Sequence, residues 1–267
     1  MTRPPGSSRH RSRRPTIAVV GLGLVGGSIA RGLTRGGWVV LGVDRPAAVR
    51  AARAARAIAR GFASVEAAAR RAQVVFLAAP PPANRKALRA LAAMDPPPPV
   101  ITDVGSVKAA ICADARRLGL RGFVGGHPMA GTERRGFAAS SADLFRGRTW
   151  VLVHARAAEA AARAVATLAR ALGARVKRMG AAEHDRTVAF VSHLPQLVSW
   201  ALLQAARRDP VAARNLDVAG PGFADMTRLA GSPRGLWREI VRENRREVTR
   251  ALRALRSGLA GTLPGGS

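Results

Sequence analysis

The sequence has little of several residue types, and each shortage narrows the class of protein. One of its 267 residues is cysteine, so no intramolecular disulfide can form and nothing points to an oxidising compartment. No apolar run approaches the roughly 20 residues of a membrane-spanning helix. Residues 1–15 are rich in arginine, proline and serine but lack the apolar stretch of a secretory signal, so we expect a disordered basic tail. These absences indicate a cytoplasmic protein.

Acidic and aromatic residues are also scarce. Sixteen acidic residues stand against 44 basic ones, which gives a formal net charge of +28 at pH 7. Such a surplus of cations is typical of proteins that bind nucleic acid. Yet tyrosine is absent, aromatic residues make up only 4% of the chain, and the arginines are dispersed among alanines. Because nucleic-acid sites interleave clustered cations with aromatic rings, we favour a solvated basic surface and keep a nucleic-acid-binding protein as the alternative from another class.

Short apolar runs alternate with alanine-rich stretches as far as residue 179, which is the pattern of a parallel sheet covered by helices. The predicted strands lie at 17–20, 39–43, 74–78, 100–102, 123–124, 150–153 and 175–179. From Gly180 onward the pattern is nearly all helix. Apolar residues from Leu236 to Leu259 recur at helical spacing and predict one long helix with an apolar face, which suits a two-fold interface.

The first predicted strand runs into a glycine-rich turn, Gly21-Leu22-Gly23-Leu24-Val25-Gly26, and then into a helical stretch. Glycines there permit the turn, the approach of backbone to a pyrophosphate and the packing of helix on strand, and the helix N-terminus favours phosphate charge. Asp44 ends the second predicted strand, where a carboxylate can bind the ribose hydroxyls of NAD, whereas Arg45 suits the extra phosphate of NADP. We predict NAD, with NADP as the alternative. The predicted contacts are Gly21, Gly23, Leu24, Val25, Gly26, Asp44 and Arg45.

These patterns predict an α/β fold with two domains. A Rossmann-type doubly wound parallel sheet over residues 16–179 binds the dinucleotide, and an all-helical domain over residues 180–267 dimerises. No metal site is expected.

A histidine stands in the glycine-rich segment Gly125-Gly126-His127-Pro128-Met129-Ala130-Gly131. Backbone of this composition is bent and exposed, so we expect the imidazole to face a ligand rather than to be packed. A second histidine segment, Ser192-His193-Leu194-Pro195, lies downstream, and Gln196 falls on the same helical face as His193. Beside a nucleotide site, titratable side chains in such segments indicate an enzyme.

Several segments resemble, in order and spacing, the prephenate and arogenate dehydrogenases of tyrosine biosynthesis. They are GLGLVGGSIARGL, TDVGSVKAAI, GGHPMAGTERRGF, HDRTVAFVSHLPQLV, FADMTRLAGSPRGLW and REIVRENRREV, and they run from about Ile17 to Leu255. The resemblance implies a nicotinamide-dependent enzyme that removes hydride from C4 of prephenate and releases carbon dioxide, giving 4-hydroxyphenylpyruvate. Arogenate and a 4-amino analogue of prephenate are the alternative substrates. A homodimer formed by the helical domain is also implied.

The resemblance implies roles for single residues. His127 is the implied catalytic base for the C4 hydroxyl, and Ser106 the hydroxyl that bonds both this histidine and the substrate. Arg228 is the implied partner of a substrate carboxylate, a task suited to its fork of donors. Thr132 and Glu133 are expected at the entrance of the site.

The sequence does not decide whether the substrate bears a keto group, as in prephenate, or an amino group, as in arogenate. His193 is an expected substrate contact, but Gln196 stands where the family often has a second histidine, and glutamine cannot carry charge. His184 lies nine residues before His193, about half a turn out of register in a regular helix, so the two histidines need not share a face.

Two further expectations concern other enzymes with the same glycine fingerprint and regulation by tyrosine. A hydroxyacid dehydrogenase or imine reductase would share the glycine fingerprint, but such enzymes rely on a lysine in the helical domain, and no lysine follows Lys177. We expect no separate amino-acid-sensing domain, so feedback inhibition by tyrosine would act at the active site.

Overall fold

A computed structural model describes residues 14–132, 134–155 and 158–262. Its N-terminal region is built on one sheet of eight strands. These are β1 (Ile17–Val20), β2 (Val40–Val43), β3 (Arg60–Phe62), β4 (Val74–Leu77), β5 (Val100–Asp103), β6 (Phe123–Pro128), β7 (Thr149–Val153) and β8 (Arg175–Arg178). Their order is β3-β2-β1-β4-β5-β6-β7-β8, and every neighbouring pair is parallel except β6 with β7. From β1 the following strands are added on one side as far as β3, and from β4 they are added on the other side. The strand order therefore reverses between β1 and β4, and ligands of doubly wound sheets bind at such a point.

Helices cover both faces of this sheet. Those of the N-terminal region are α1 (Leu24–Arg35), α2 (Pro46–Ala54), α3 (Val65–Ala69), α4 (Pro81–Ala92), α5 (Ala109–Arg117) and α6 (Glu159–Ala171). Alternate residues of the strands enter two separate cores: Val19 and Phe76 pack with α1 and α6, whereas Ala18 and Leu77 pack with α3, α4 and α5. Burial on both faces explains why these strands are continuous apolar runs, and it confirms the doubly wound fold.

Helices also form the C-terminal region, as predicted. They are α7 (Ala181–Val188), α8 (Leu194–Arg208), α9 (Pro210–Arg214), α10 (Pro221–Thr227), α11 (Arg234–Glu243) and α12 (Arg245–Thr262). A π-helical turn, Ala189–His193, joins α7 to α8. The prediction of one long helix from Leu236 to Leu259 was wrong, because the chain breaks at Asn244, whose side-chain amide donates to the Asp185 carbonyl oxygen.

The continuous helical segment Ala181–Arg208 is long and apolar enough to cross a bilayer by length and composition alone, with a mean hydropathy of 1.2. A core helix of a globular domain passes the same test. Here the segment carries the buried polar side chains of His184, Asp185 and His193, which hydrogen-bond at the junction with the sheet domain. We therefore describe it as the helix of the domain junction.

The prediction of a bent, exposed backbone at His127 was also wrong. His127 lies in β6, opposite Val151 of β7, and the residue is only 8% exposed. The preceding glycine serves close packing rather than a turn, because a Cβ on Gly126 would come within 2.4 Å of the Asp103 carbonyl oxygen. The histidine is thus fixed by a strand at the end of the sheet.

Candidate active site

The glycine-rich turn forms a tight connection between β1 and α1. Gly21 has a φ of 94°, and a Cβ there would lie 2.6 Å from the backbone of Ala78. A Cβ on Gly26 would lie 1.8 Å from the Gly21 carbonyl oxygen. Helix α1 begins at Leu24 with no side-chain cap and no acidic residue in its first turn, so its first N–H groups are open to an anion. The turn therefore fits a pyrophosphate.

Gly23 offers a test that separates folding from cofactor binding. A Cβ at this position would meet nothing within 4 Å, and its φ of −76° is allowed for alanine. We expect Gly23→Ala to leave the melting temperature of the free protein nearly unchanged and to raise the Kd for NAD at least 10-fold, because the methyl group enters the space of the pyrophosphate. Calorimetric titration with NAD measures the effect. Gly258→Ala, on the exposed side of α12, is the matched control, and equal NAD affinity in both variants would contradict the assignment.

Asp44 follows β2 and holds the glycine-rich turn. Its Oδ2 accepts a hydrogen bond from the Leu22 N–H at 2.6 Å, and its Oδ1 accepts one from the Arg45 N–H at 2.6 Å. The side chain is 21% exposed, whereas that of Arg45 is 93% exposed. Each carboxylate oxygen keeps a lone pair for a ribose hydroxyl.

A cavity of about 380 Å³ opens beside the glycine-rich turn. The loops after β1, β4 and β5 form one wall, and residues from the start and end of α11 form the other, so the cavity lies between the two regions of the chain. Leu24, Val25, Ser106 and Thr132 all line it. Ser106 is not a helix N-cap, since α5 begins at Ala109. Among the residues described, its hydroxyl has no hydrogen-bond partner, and in particular none with His127.

His127 is the first member of a buried hydrogen-bonded chain. Its Nδ1 lies 2.8 Å from Nε2 of His184, and Nδ1 of His184 lies 2.7 Å from Oδ1 of Asp185. The same carboxylate accepts hydrogen bonds from the N–H groups of Lys108 and Ala109, at 2.7 and 2.8 Å, and so caps α5. All members of this chain are buried.

A buried ion pair fixes the strand ends beside His127. Lys108 and Asp103 contact each other with side chains that are 0% and 1% exposed. Lys108 also donates to the Gly126 carbonyl oxygen at 2.8 Å, and Asp103 accepts from the Gly126 N–H at 3.1 Å. Burial, aided by the Lys108, His184 and His193 side chains, holds the pKa of His127 well below 6.5. The imidazole is therefore neutral at pH 7 and able to accept a proton.

His193 and Gln196 are buried polar residues of the junction helix. The Asn244 amide nitrogen, a donor, lies 3.3 Å from Nδ1 of His193, so the proton of the neutral ring is on Nε2, which is buried without a partner. Burial lowers the pKa of His193 to about 4, which keeps the ring neutral. Gln196 donates through Nε2 to the Leu229 carbonyl oxygen at 2.6 Å, and its Oε1 is buried without a partner. Within the described part of the chain, these two side chains thus keep one unused donor and one unused acceptor.

The remaining predicted residues are not all brought together. Arg228 is exposed and begins the 3₁₀ turn Arg228–Gly231. His127, His193, Gln196 and Arg228 are not among the described residues that line the cavity. Glu133 lies outside the described residues. Conversely, no role was predicted for Asp185, Lys108 or Asn244. Asn244 could have been recognised as a polar residue that interrupts the apolar helical stripe.

An eight-stranded doubly wound sheet with a glycine-rich turn at its switch point, closed by a helical region, defines the class of two-domain dinucleotide-binding proteins. Two family models refine this class. Residues 29–178 match the nucleotide-binding domain of prephenate dehydrogenase, and residues 180–260 match its dimerization domain. The chain belongs to the prephenate dehydrogenase family.

Individual relatives agree with this assignment. The chain is 30% identical to prephenate dehydrogenase of Bacillus subtilis over 246 residues, which are 88% of this chain and 66% of that protein. It thus spans slightly less than two thirds of the length of this relative. The structure of Synechocystis arogenate dehydrogenase aligns with a TM-score of 0.80 at 31% identity, covering 91% of this chain and 89% of that one. The structure of Aquifex aeolicus prephenate dehydrogenase in complex with hydroxyphenyl propionate and NAD+ aligns with a TM-score of 0.84 at 30% identity, covering 91% and 87%.

Proposed function

We propose that the protein is a NAD-dependent dehydrogenase that oxidatively decarboxylates prephenate to 4-hydroxyphenylpyruvate in tyrosine biosynthesis. The observation that carries the proposal is a neutral, buried His127 at the end of β6, in a family member with a dinucleotide-binding turn at the switch point of the same sheet. Bound NAD would supply the acceptor for the hydride of C4. Gly21, Gly23, Gly26 and the first turn of α1 would hold its pyrophosphate, and Asp44 its ribose.

The residues of the chain supply the acid–base and positioning parts of the reaction. Nε2 of His127 takes the proton of the C4 hydroxyl, which becomes a carbonyl as hydride leaves C4. When the C1 carboxylate leaves as carbon dioxide, the electron pair of the broken bond aromatises the ring, and the C4 oxygen regains a proton as a phenol hydroxyl. Nε2–H of His193 donates to a substrate oxygen, and Arg228 pairs with a carboxylate. The Ser106 hydroxyl, which lines the cavity, bonds the substrate, and Thr132 lies at the entrance.

Initial rates of cofactor reduction test the proposal. Purified protein is assayed with prephenate and with arogenate, each with NAD and with NADP. We expect turnover with a cyclohexadienyl substrate and a preference for NAD, since the Asp44 carboxylate disfavours a 2′-phosphate. Absence of turnover with all four pairs would contradict the proposal.

Gln196 supports arogenate as a second candidate substrate. The Leu229 carbonyl oxygen fixes the side-chain amide by accepting from Nε2, so the free group is the acceptor Oε1. A buried acceptor pairs with the α-ammonium group of arogenate but meets the lone pairs of the α-keto group of prephenate. We expect Gln196→His, which introduces a donor, to shift the ratio of kcat/KM for prephenate over arogenate upward by about 10-fold or more. An unchanged ratio would contradict this role for Gln196.

The low pKa of His127 predicts the pH dependence of turnover. The base acts in its deprotonated form, and burial together with Lys108 lowers its pKa, so the active form persists as the pH falls. We therefore expect kcat/KM to stay level down to pH 6.5 and to fall only below that value. A profile of initial rates between pH 5 and 9 at saturating NAD checks this expectation. A loss of activity that begins above pH 6.5 and is attributable to His127 would contradict it.

We further propose a homodimer formed by the helical region and a cytoplasmic location. The family's dimerization domain covers residues 180–260, and large apolar side chains of this region are exposed in the single chain. These include Val191, Val218, Met226 and Leu259. Sedimentation equilibrium that returns the mass of one chain would contradict the dimer.

A further inference from the structure

Asp185, His184 and His127 form a hydrogen-bonded series, and the Asp185 carboxylate determines which atom donates and which accepts at each step. The Asp185 carboxylate already accepts from two backbone N–H groups and, as an ion, can only accept. Nδ1 of His184 must therefore donate to it. In a neutral His184 the Nε2 atom then carries a lone pair and accepts from Nδ1–H of His127. This leaves the lone pair of His127 on Nε2, the atom that the proposed reaction requires as base.

We propose that His184 is a positioning residue that fixes the tautomer of His127 and shares the proton that His127 receives. This inference rests on the proposed function and deepens it. As Nε2 of His127 takes the proton of the substrate hydroxyl, Nδ1–H of His127 moves its proton toward Nε2 of His184. The positive charge then lies on His184, next to the Asp185 carboxylate, rather than on His127.

The charges around the two rings favour this transfer. Lys108, buried on the α5 side, opposes a cation on His127, and His193 and His184 add to the effect. Asp103 faces Lys108 and is neutralised by it. Of the two imidazole rings, that of His184 contacts a carboxylate directly, because its Nδ1 hydrogen-bonds to Asp185. A positive charge on His184 is therefore compensated by the Asp185 carboxylate, whereas one on His127 has no carboxylate in contact in the described ranges. The neighbouring Asn244 amide is uncharged.

The π-helical turn explains how His184 and His193 both reach this junction. Its i→i+5 hydrogen bonds turn the chain by less per residue than an α-helix, so the half-turn offset between the two histidines is reduced. His184 then contacts His127, while His193 contacts Asn244 and packs edge-on against Trp237, with ring centroids 5.9 Å apart.

The first test reads the tautomer without any substrate. Long-range ¹⁵N–¹H correlation spectra of the whole protein, labelled at its five histidines, distinguish a protonated from an unprotonated ring nitrogen. We expect His127 to be protonated at Nδ1 and unprotonated at Nε2 in the free protein, with its signals assigned by their loss in His127→Asn. A wild-type His127 protonated at Nε2 would overturn the inference, whatever the activity of the enzyme.

The second test uses variants of His184. His184→Phe keeps the ring volume but removes the acceptor, so we expect kcat to fall about 100-fold, with KM and the Kd for NAD within about 3-fold of wild type. His184→Gln restores an acceptor for Nδ1–H but cannot take the proton, so we expect it to recover about 10-fold of the lost kcat. His154→Phe is the matched control. Nε2 of His154 lies 2.9 Å from Oε2 of Glu159, and this pair is away from the junction. Wild-type kcat in His184→Phe, or no recovery in a folded His184→Gln, would overturn the inference.

Discussion

Replacing His127 with asparagine is expected to lower kcat by a factor of about 10³ while leaving NAD binding intact. Asparagine fills a similar volume and keeps a donor toward His184, but it has no lone pair basic enough to take the proton of the C4 hydroxyl. Because the position belongs to β6 and is paired with Val151, the backbone is held by the sheet and the variant should fold. Initial rates at saturating substrate measure the loss.

Two controls make this result specific. The Kd for NAD of His127→Asn should match that of wild type, since the glycine-rich turn connects β1 to α1 and His127 lies in β6. His154→Asn, at the half-buried histidine beside Glu159, should keep wild-type kcat. Equal activity of wild type and His127→Asn would remove the general base from the mechanism.

Replacing Lys108 with methionine is expected to destabilise the protein by about 3–5 kcal/mol, because it leaves the Asp103 carboxylate buried without its cation. For a chain of this size the loss corresponds to a melting temperature lower by about 10 °C. Differential scanning calorimetry at pH 7 measures it. The double variant Asp103→Asn/Lys108→Met removes both charges and should recover most of the stability.

The exposed pair between Arg35 and Asp143 is the comparison for this prediction. Its side chains are 55% and 50% exposed, so solvent screens the interaction. Arg35→Met should therefore leave the melting temperature nearly unchanged. A similar small effect for Lys108→Met would mean that water reaches the buried pair and that it does not fix the strand ends beside His127.

The cofactor side of the site was predictable because its signal is local. The glycines from Gly21 to Gly26, the apolar strand before them and the helix after them are contiguous in sequence, and the same short-range sterics act in the folded chain. Asp44 was predicted as a cofactor contact in the same way, by its place directly after the apolar run of β2. Its bond to the Leu22 N–H could not be foreseen, because that contact depends on how the two loops meet.

The substrate side was predicted less well, because its geometry is set by long-range packing. The burial of His127 comes from the antiparallel pairing of β6 with β7, and the sequence of β6 alone, with its glycines and Pro128, favours a loop. The contact between His127 and His184 depends on a π-helical turn, which a 3.6-residue period does not reveal. Asn244 looked like a residue inside one long helix, yet its bond to the Asp185 carbonyl oxygen marks the break between α11 and α12.

One short element was missed for a different reason. Strand β3, Arg60–Phe62, lies at the edge of the sheet and pairs only with β2. An edge strand of three partly exposed residues needs no apolar run, so its sequence gives no strand signal. The sheet is therefore one strand wider than the apolar runs predict.

Isotope transfer from substrate to cofactor shows whether this protein removes hydride from C4 of prephenate, as proposed. Prephenate deuterated at C4 is incubated with the purified protein and NAD, and both the reduced cofactor and the released carbon dioxide are quantified. We expect one deuterium in each reduced nicotinamide and one carbon dioxide for each turnover. Reduced cofactor without deuterium, or carbon dioxide released without cofactor reduction, would contradict it.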